Sequence, residues 1–240
     1  MEPILYEAVD LYSQPMAELF INSLQPRPSF ASTTVKAVSL RQSVTPEQGA
    51  KILQLCQGLR ELALQIAADL PDDQNPLREP LKTLQLSMLS LDLASAFYGP
   101  MIFLPDLPLF KCIKHLHLTN AWVARHGLHI GLPYLPQLTH VSFPIQPSGH
   151  GNIHTDILAF ILQVFRGLRL VILWRMPYHG SHSIYECLSQ RGILDRRVVV
   201  FNCARFTHCA QSDGSIWTLG ERVVQLREDR GYGIAFSPFI

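Results

Sequence analysis

Four stretches decide the fold: LQLCQGLRELAL (53–64), LPLFKCIKHLHL (107–118), LPYLPQLTHVSF (132–143) and LQVFRGLRLVIL (162–173). In one common register they carry apolar or aromatic residues, or Cys, in the same columns. One linker column breaks the run with Gln57, Lys111, Pro136 and Arg166. The unit reads as a buried lead-in, a polar turn and a strand alternating with period two.

The strand part alone, apolar-x-x-apolar-x-apolar, recurs outward from these copies. It starts at Tyr6 (YEAVDL), Val35 (VKAVSL), Leu59 (LRELAL), Leu81 (LKTLQL), Ile113 (IKHLHL), Leu138 (LTHVSF) and Leu168 (LRLVIL). A degenerate last copy ends in Val198 and Val200. Successive starts lie 29, 24, 22, 32, 25 and 30 residues apart, near the leucine-rich-repeat range but irregular. Helices are expected between strands. Thr45 caps one, with Pro46 in its first turn and Gln48 as the capping-box partner. Others are expected over 156–165, 181–190 and 215–228. The Pro-rich stretches 71–80 and 144–152 read as surface loops. Strand, crossover helix and parallel strand in alternation predict an α/β leucine-rich-repeat-like solenoid with a parallel sheet. It forms one domain over 1–240, with helices at least on the outer side. A doubly wound α/β enzyme domain is the rival architecture.

Period two also assigns an inner face, the strand residues that point away from the helices. These are Ala8 and Asp10, Ala37 and Ser39, Glu61 and Ala63, Thr83 and Gln85, His115 and His117, His140 and Ser142, then Leu170 and Ile172. Asp10, Ser39, Glu61, Gln85, His115, His117, His140 and Ser142 form the candidate partner surface. The row turns apolar at Leu170, Ile172, Trp174, Val199 and Phe201, which calls for a cover. Residues 212–240 are expected to supply it. An amphipathic helix from Ser215 docks there with Trp217 buried, while Arg222, Gln225 and Arg227 lie mainly on its wet side. The competing reading leaves the apolar end open as a partner groove.

Composition narrows the function. Hydrophobic residues make up 48% of 240 and charged residues 16%, which excludes disorder. A net charge of +1 gives no reason to expect nucleic acid or an anionic membrane as partner. No apolar run is long enough to span a bilayer, and the N-terminus does not read as a signal peptide. The five cysteines (56, 112, 187, 203 and 209) fit reduced thiols in the cytoplasm or nucleus.

The chemistry-bearing residues form no recognisable catalytic or metal motif. The pairs His115/His117, His126/His129, His150/His154 and His179/His182 lack structural-zinc spacing, as do Cys203 and Cys209. They read as exposed strand and loop histidines. There is no G-x-S-x-G elbow and no P-loop. Gly149-His150-Gly151 and Gly231-Tyr232-Gly233 have neither a third glycine nor an acidic ribose anchor. Cys56 and Cys112 stand at packing positions. Asp195-Arg196-Arg197 reads as a solvated approach to a strand. Metal, cofactor and catalytic residues are therefore each expected to be none.

With the registers in place, the chain resembles the leucine-rich-repeat-like, F-box-related proteins of mushroom-forming fungi. The likeness rests on LYEAVDL (5–11), AELFINSLQPRPSF (17–30), VKAVSL (35–40), ILQLCQGLRELAL (52–64), LPQLTHVSF (135–143), RVVVFNC (197–203) and SIWTLGERVVQLRED (215–229). The resemblance implies a repeat fold and a role in protein recognition. Many such proteins carry an N-terminal F-box that docks onto a ubiquitin-ligase scaffold. Here the reading begins directly at a strand, with no Leu-Pro-rich helical trio before Tyr6. Three functions are thus open: a protein-interaction module, a ligase adaptor whose F-box is lost or missing from this chain, and an α/β enzyme.

Overall fold

Each repeat contributes one short strand to a single parallel sheet. The computed structural model describes residues 2–66, 74–93, 104–119, 131–145, 152–175, 184–201 and 215–230. The strands are β1 (Ala8–Leu11), β2 (Ala37–Leu40), β3 (Glu61–Leu64), β4 (Met88–Leu91), β5 (His115–Leu118), β6 (His140–Ile145), β7 (Leu170–Arg175) and β8 (Val198–Phe201). They pair in sequence order, each parallel to the next. This is an α/β repeat solenoid with crossover helices.

The polar column of the repeat is a turn. Leu59, Leu138 and Leu168 donate their N–H groups to the carbonyls of Cys56, Leu135 and Phe165, and Gln57, Lys111, Pro136 and Arg166 are all exposed. The sheet is then tied at the start of its strands by one repeated device. The carbonyl of Lys36 accepts from the N–H groups of Arg60 and Glu61, Arg60 from Ser87 and Met88, and Ser87 from Lys114 and His115. Lys114 accepts likewise from Thr139 and His140, and Thr139 from Arg169 and Leu170. Because the pairing is in register, one row of side chains runs under the whole sheet. Leu62, Leu89, Leu116, Val141, Val171 and Val198 are successive partners, and all are buried in the main core.

The helices that pack on this outer side include α1 (Glu2–Glu7), α2 (Gln14–Leu24), α3 (Pro28–Thr34), α4 (Pro46–Leu55), α5 (Arg78–Thr83), α6 (Asn152–Val164) and α7 (Ile184–Gln190). At α4 both bonds of the capping box form: Thr45 Oγ1 accepts from the Gln48 N–H, and Gln48 Oε1 from the Thr45 N–H, each at 3.2 Å. The end of α6 is held by Arg197, whose guanidinium donates to the carbonyls of Leu162, Phe165 and Leu168 and pairs with Asp195 at 2.6 Å. Helix C-termini leave such carbonyls without intrahelical partners. Arg197 is thus a structural clamp rather than a solvated lead into the strand. α8 (Ser215–Arg230) lies on the other, inner side of the sheet.

Three readings are corrected. LKTLQL is not the fourth strand: Leu81–Thr83 ends α5, and the strand is Met88–Leu91. The same apolar pattern recurs five residues on as LSMLSL (86–91), and that copy pairs with its neighbours. Tyr6 lies in α1, so a helical turn precedes β1. The Pro-rich stretch 71–80 is not loop throughout, because α5 begins at Arg78 and Leu77, Pro80 and Leu81 are buried. Residues 71–73 lie outside the described residues, as do 146–151. No described helix is long and apolar enough to cross a membrane.

Candidate functional site

The inner face is built from two rows of strand residues. The first is Ala8, Ala37, Glu61, Met88, His115, His140 and Leu170, and the second is Asp10, Ser39, Ala63, Ser90, His117, Ser142, Ile172 and Val199. Asp10, Ser39, Glu61, His115, His117, His140 and Ser142 stand in these rows as the period-two reading expects. Gln85 does not. It is exposed but outside the sheet, and its places in the ladder belong to Met88 and Ser90.

Accessibility divides the candidates. Asp10 is exposed, and its carboxylate takes two bonds from Arg41, at 3.0 and 2.7 Å. Glu61 and His115 are half-buried. Ser39, His117, His140 and Ser142 are buried, so the reading of His117 as an exposed strand histidine is corrected and these four are not open on the candidate partner surface.

At the far end the burial comes from α8. Ile216, Trp217 and Val223 pack on Leu170, Ile172, Val199 and Phe201, a cluster distinct from the main core. Trp217 is 3% exposed, and its ring sits 5.3 Å from His115 and 5.8 Å from His140. The helix thus covers the apolar end of the inner face. Arg227 is corrected from wet side to buried. It donates to the carbonyls of Arg196 and Val198 at 3.1 and 2.6 Å, groups on the side of β8 away from β7. Such a donor blunts an edge that would otherwise template further pairing.

Glu221 of α8 accepts a 3.0 Å bond from His140 Nε2. Since a carboxylate only accepts, Nε2 carries the proton, and Nδ1 is left to accept from the Thr139 hydroxyl at 2.7 Å. Burial lowers the His140 pKa, so this is a hydrogen bond from a neutral imidazole rather than an ion pair. Burial also lowers His115 and His117 to about 4. His117 stacks on Trp174 at 5.6 Å, and among the described residues neither His117 Nδ1, Ser142 Oγ nor Trp174 Nε1 has a hydrogen-bond partner.

The sign of the resulting pH dependence follows. Histidines whose folded pKa is depressed take up protons first in the unfolded chain. Stability is therefore full above about pH 6.5 and falls as pH drops toward 4. His117 alone accounts for roughly 3 kcal/mol by pH 4. Thermal melts between pH 7.5 and 4.5 should show a falling Tm, with a shallower fall in His117→Asn. Equal slopes for the two proteins would show that His117 titrates normally.

The chemistry of the other candidates is spare. Among the described residues no group of three His, Cys, Asp or Glu side chains is placed to hold a metal. His126, His129, His150, His179, His182, Cys203 and Cys209 and both Gly-x-Gly stretches lie outside the described residues. Cys56 is buried and its thiol is pushed up to about 12 by burial, which makes it an inert packing group. A cleft beside the starts of α2 and α4 is lined by Gln14, Pro15, Gln42, Ser43, Val44, Thr45 and Pro46, a set with no titratable side chain. No family model and no curated protein matches the sequence.

Proposed function

We propose that this chain is a non-catalytic protein-interaction module of leucine-rich-repeat type, whose inner face between β1 and β5 receives a protein partner. The observation that carries this reading is the division of that face. α8 seals the apolar end over β7 and β8 and reaches back to His115 and Met88, while Ala8, Asp10 and Glu61 on the earlier strands are open or half-open to solvent. Ala37, Ser39, Ala63 and Ser90 between them are small and buried, so the exposed side chains around them are the ones a partner would meet. The free thiols of Cys56 and Cys112 favour a cytoplasmic or nuclear setting.

The test is site-specific photocrosslinking in cells. A photoreactive residue at position 61 or 88 should give discrete protein adducts, and one at Lys51, exposed on α4, should not. Adducts from position 51 alone would place the working surface on the helices instead. A ubiquitin-ligase scaffold subunit among the adducts would make the module a ligase adaptor, as the family resemblance suggests.

A further inference from the structure

The residue just before each inner-row strand residue forms a third row. From β2 onward it reads Lys36, Arg60, Ser87, Lys114, Thr139, Arg169 and Arg196, held in line by the shared carbonyl bonds described above. Glu7 ends it at β1. Arg60, Lys114 and Arg169 are exposed and fall on β3, β5 and β7, with hydroxyl residues on the strands between them. Among the described residues no carboxylate pairs with Lys36, Arg60, Lys114 or Arg169. Glu61, next to Arg60, is no exception: burial raises its carboxyl and no cation offsets the rise.

At the C-terminal end α8 already brings acidic side chains to the inner row beside this margin and to the margin itself. Glu221 bonds His140 on β6, and Glu228 pairs at 3.4 Å with Arg196 at the start of β8. The two acids are seven residues apart on one helix, which spans about 10.5 Å. Their partners are two strands apart, about 9.6 Å. An α-helix laid across the strands therefore brings a carboxylate to every second strand, and the exposed cations Arg60, Lys114 and Arg169 recur at that same interval.

We propose that Arg60 and Lys114, continued by Arg169, dock an acidic α-helix of a partner protein whose carboxylates recur every seven residues, as Glu221 and Glu228 do within this chain. The inference rests on the interaction-module reading and names the chemistry of the partner. Contacts of this kind are exposed, so they set register and association rate and weaken with salt.

The experiment is fluorescence anisotropy on the full chain. The probe is a labelled Ala/Gln-based helical peptide of about 20 residues with Glu at every seventh position. A second peptide carries the same Glu residues at every fifth position, and a single-stranded oligodeoxythymidine serves as the alternative polyanion. The seven-spaced peptide should bind most tightly, and R60Q/K114Q should weaken it about tenfold. Glu228→Gln should leave it unchanged. Equal affinity for both peptides, no effect of R60Q/K114Q, or binding of the oligonucleotide in place of the peptide would each overturn the proposal. Crosslinks from position 61 that survive R60Q/K114Q would also overturn it while leaving the interaction-module reading in place. Loss of those crosslinks in R60Q/K114Q would support it.

Discussion

Leu116→Ala should cost about 2–5 kcal/mol of stability and lower the melting temperature by roughly 10 °C for a domain of this size. Leu116 sits in the middle of the core row under the sheet, between Leu89 and Val141, and is fully buried. Removing its side chain opens a void with repeats on both sides. Its neighbours cannot collapse into the void without breaking the register that the strand-start carbonyls impose. Tyr134→Ala is the matched control. Tyr134 occupies the same repeat column as Leu55 and Leu109, yet it is 64% exposed. Its loss should therefore cost clearly less than that of the buried Leu116. A Leu116→Ala protein that melts with the wild type would mean the strand register is wrong. A large loss from Tyr134→Ala would mean that the repeat column, rather than burial, carries the stability.

That contrast shows how far the repeat could be read. Where lead-in, turn and strand all repeat, as in 53–64, 107–118, 132–143 and 162–173, the register and the inner-facing residues follow from the sequence. Where only the strand pattern is present, two frames can compete. LKTLQL and LSMLSL share Leu86, and either satisfies the alternation. Spacing is the signal that separates them: Leu86 lies 27 residues after Leu59 and 27 before Ile113, whereas Leu81 gives 22 and 32. Solenoid neighbours stack with similar path lengths, so the even spacing marks the true strand. The fates of His117, His140 and Arg227 were not legible in this way. Their burial depends on what packs across the sheet, and a helical wheel cannot show that the Arg196 and Val198 carbonyls await Arg227. The row formed by Arg60, Lys114 and Arg169 was legible in principle. It occupies one column of the repeat, but that column is variable in charge and polarity and emerges only once the strands are set side by side.

Deleting residues 212–240 should drive the protein to aggregate. The deletion removes α8 and uncovers Leu170, Ile172, Val199 and Phe201, which face away from the main core and have Ile216, Trp217 and Val223 as their cover. It also strips Arg227 from the carbonyls of Arg196 and Val198, which lose their side-chain donor beside that apolar surface. An uncovered apolar surface beside backbone carbonyls that have lost their donor recruits further chains. Gly220 allows the same test without truncation. A Cβ there would lie 2.7 Å from Leu170 Cδ2 and 3.2 Å from Ile172 Cδ1. The helix therefore approaches the sheet so closely that any side chain larger than a methyl would have to displace Leu170 and Ile172, and the glycine is tolerated despite its cost of roughly 1 kcal/mol within a helix. Gly220→Leu should lift α8 off the sheet and raise light scattering in the same way as the deletion. Gly220→Ala sets a gain in helix propensity against contact with two side-chain ends, and its effect should be small. A truncated protein that elutes as a monomer and melts with the full chain would make α8 a free tail. The Leu170–Phe201 surface would then be the better place to look for a partner.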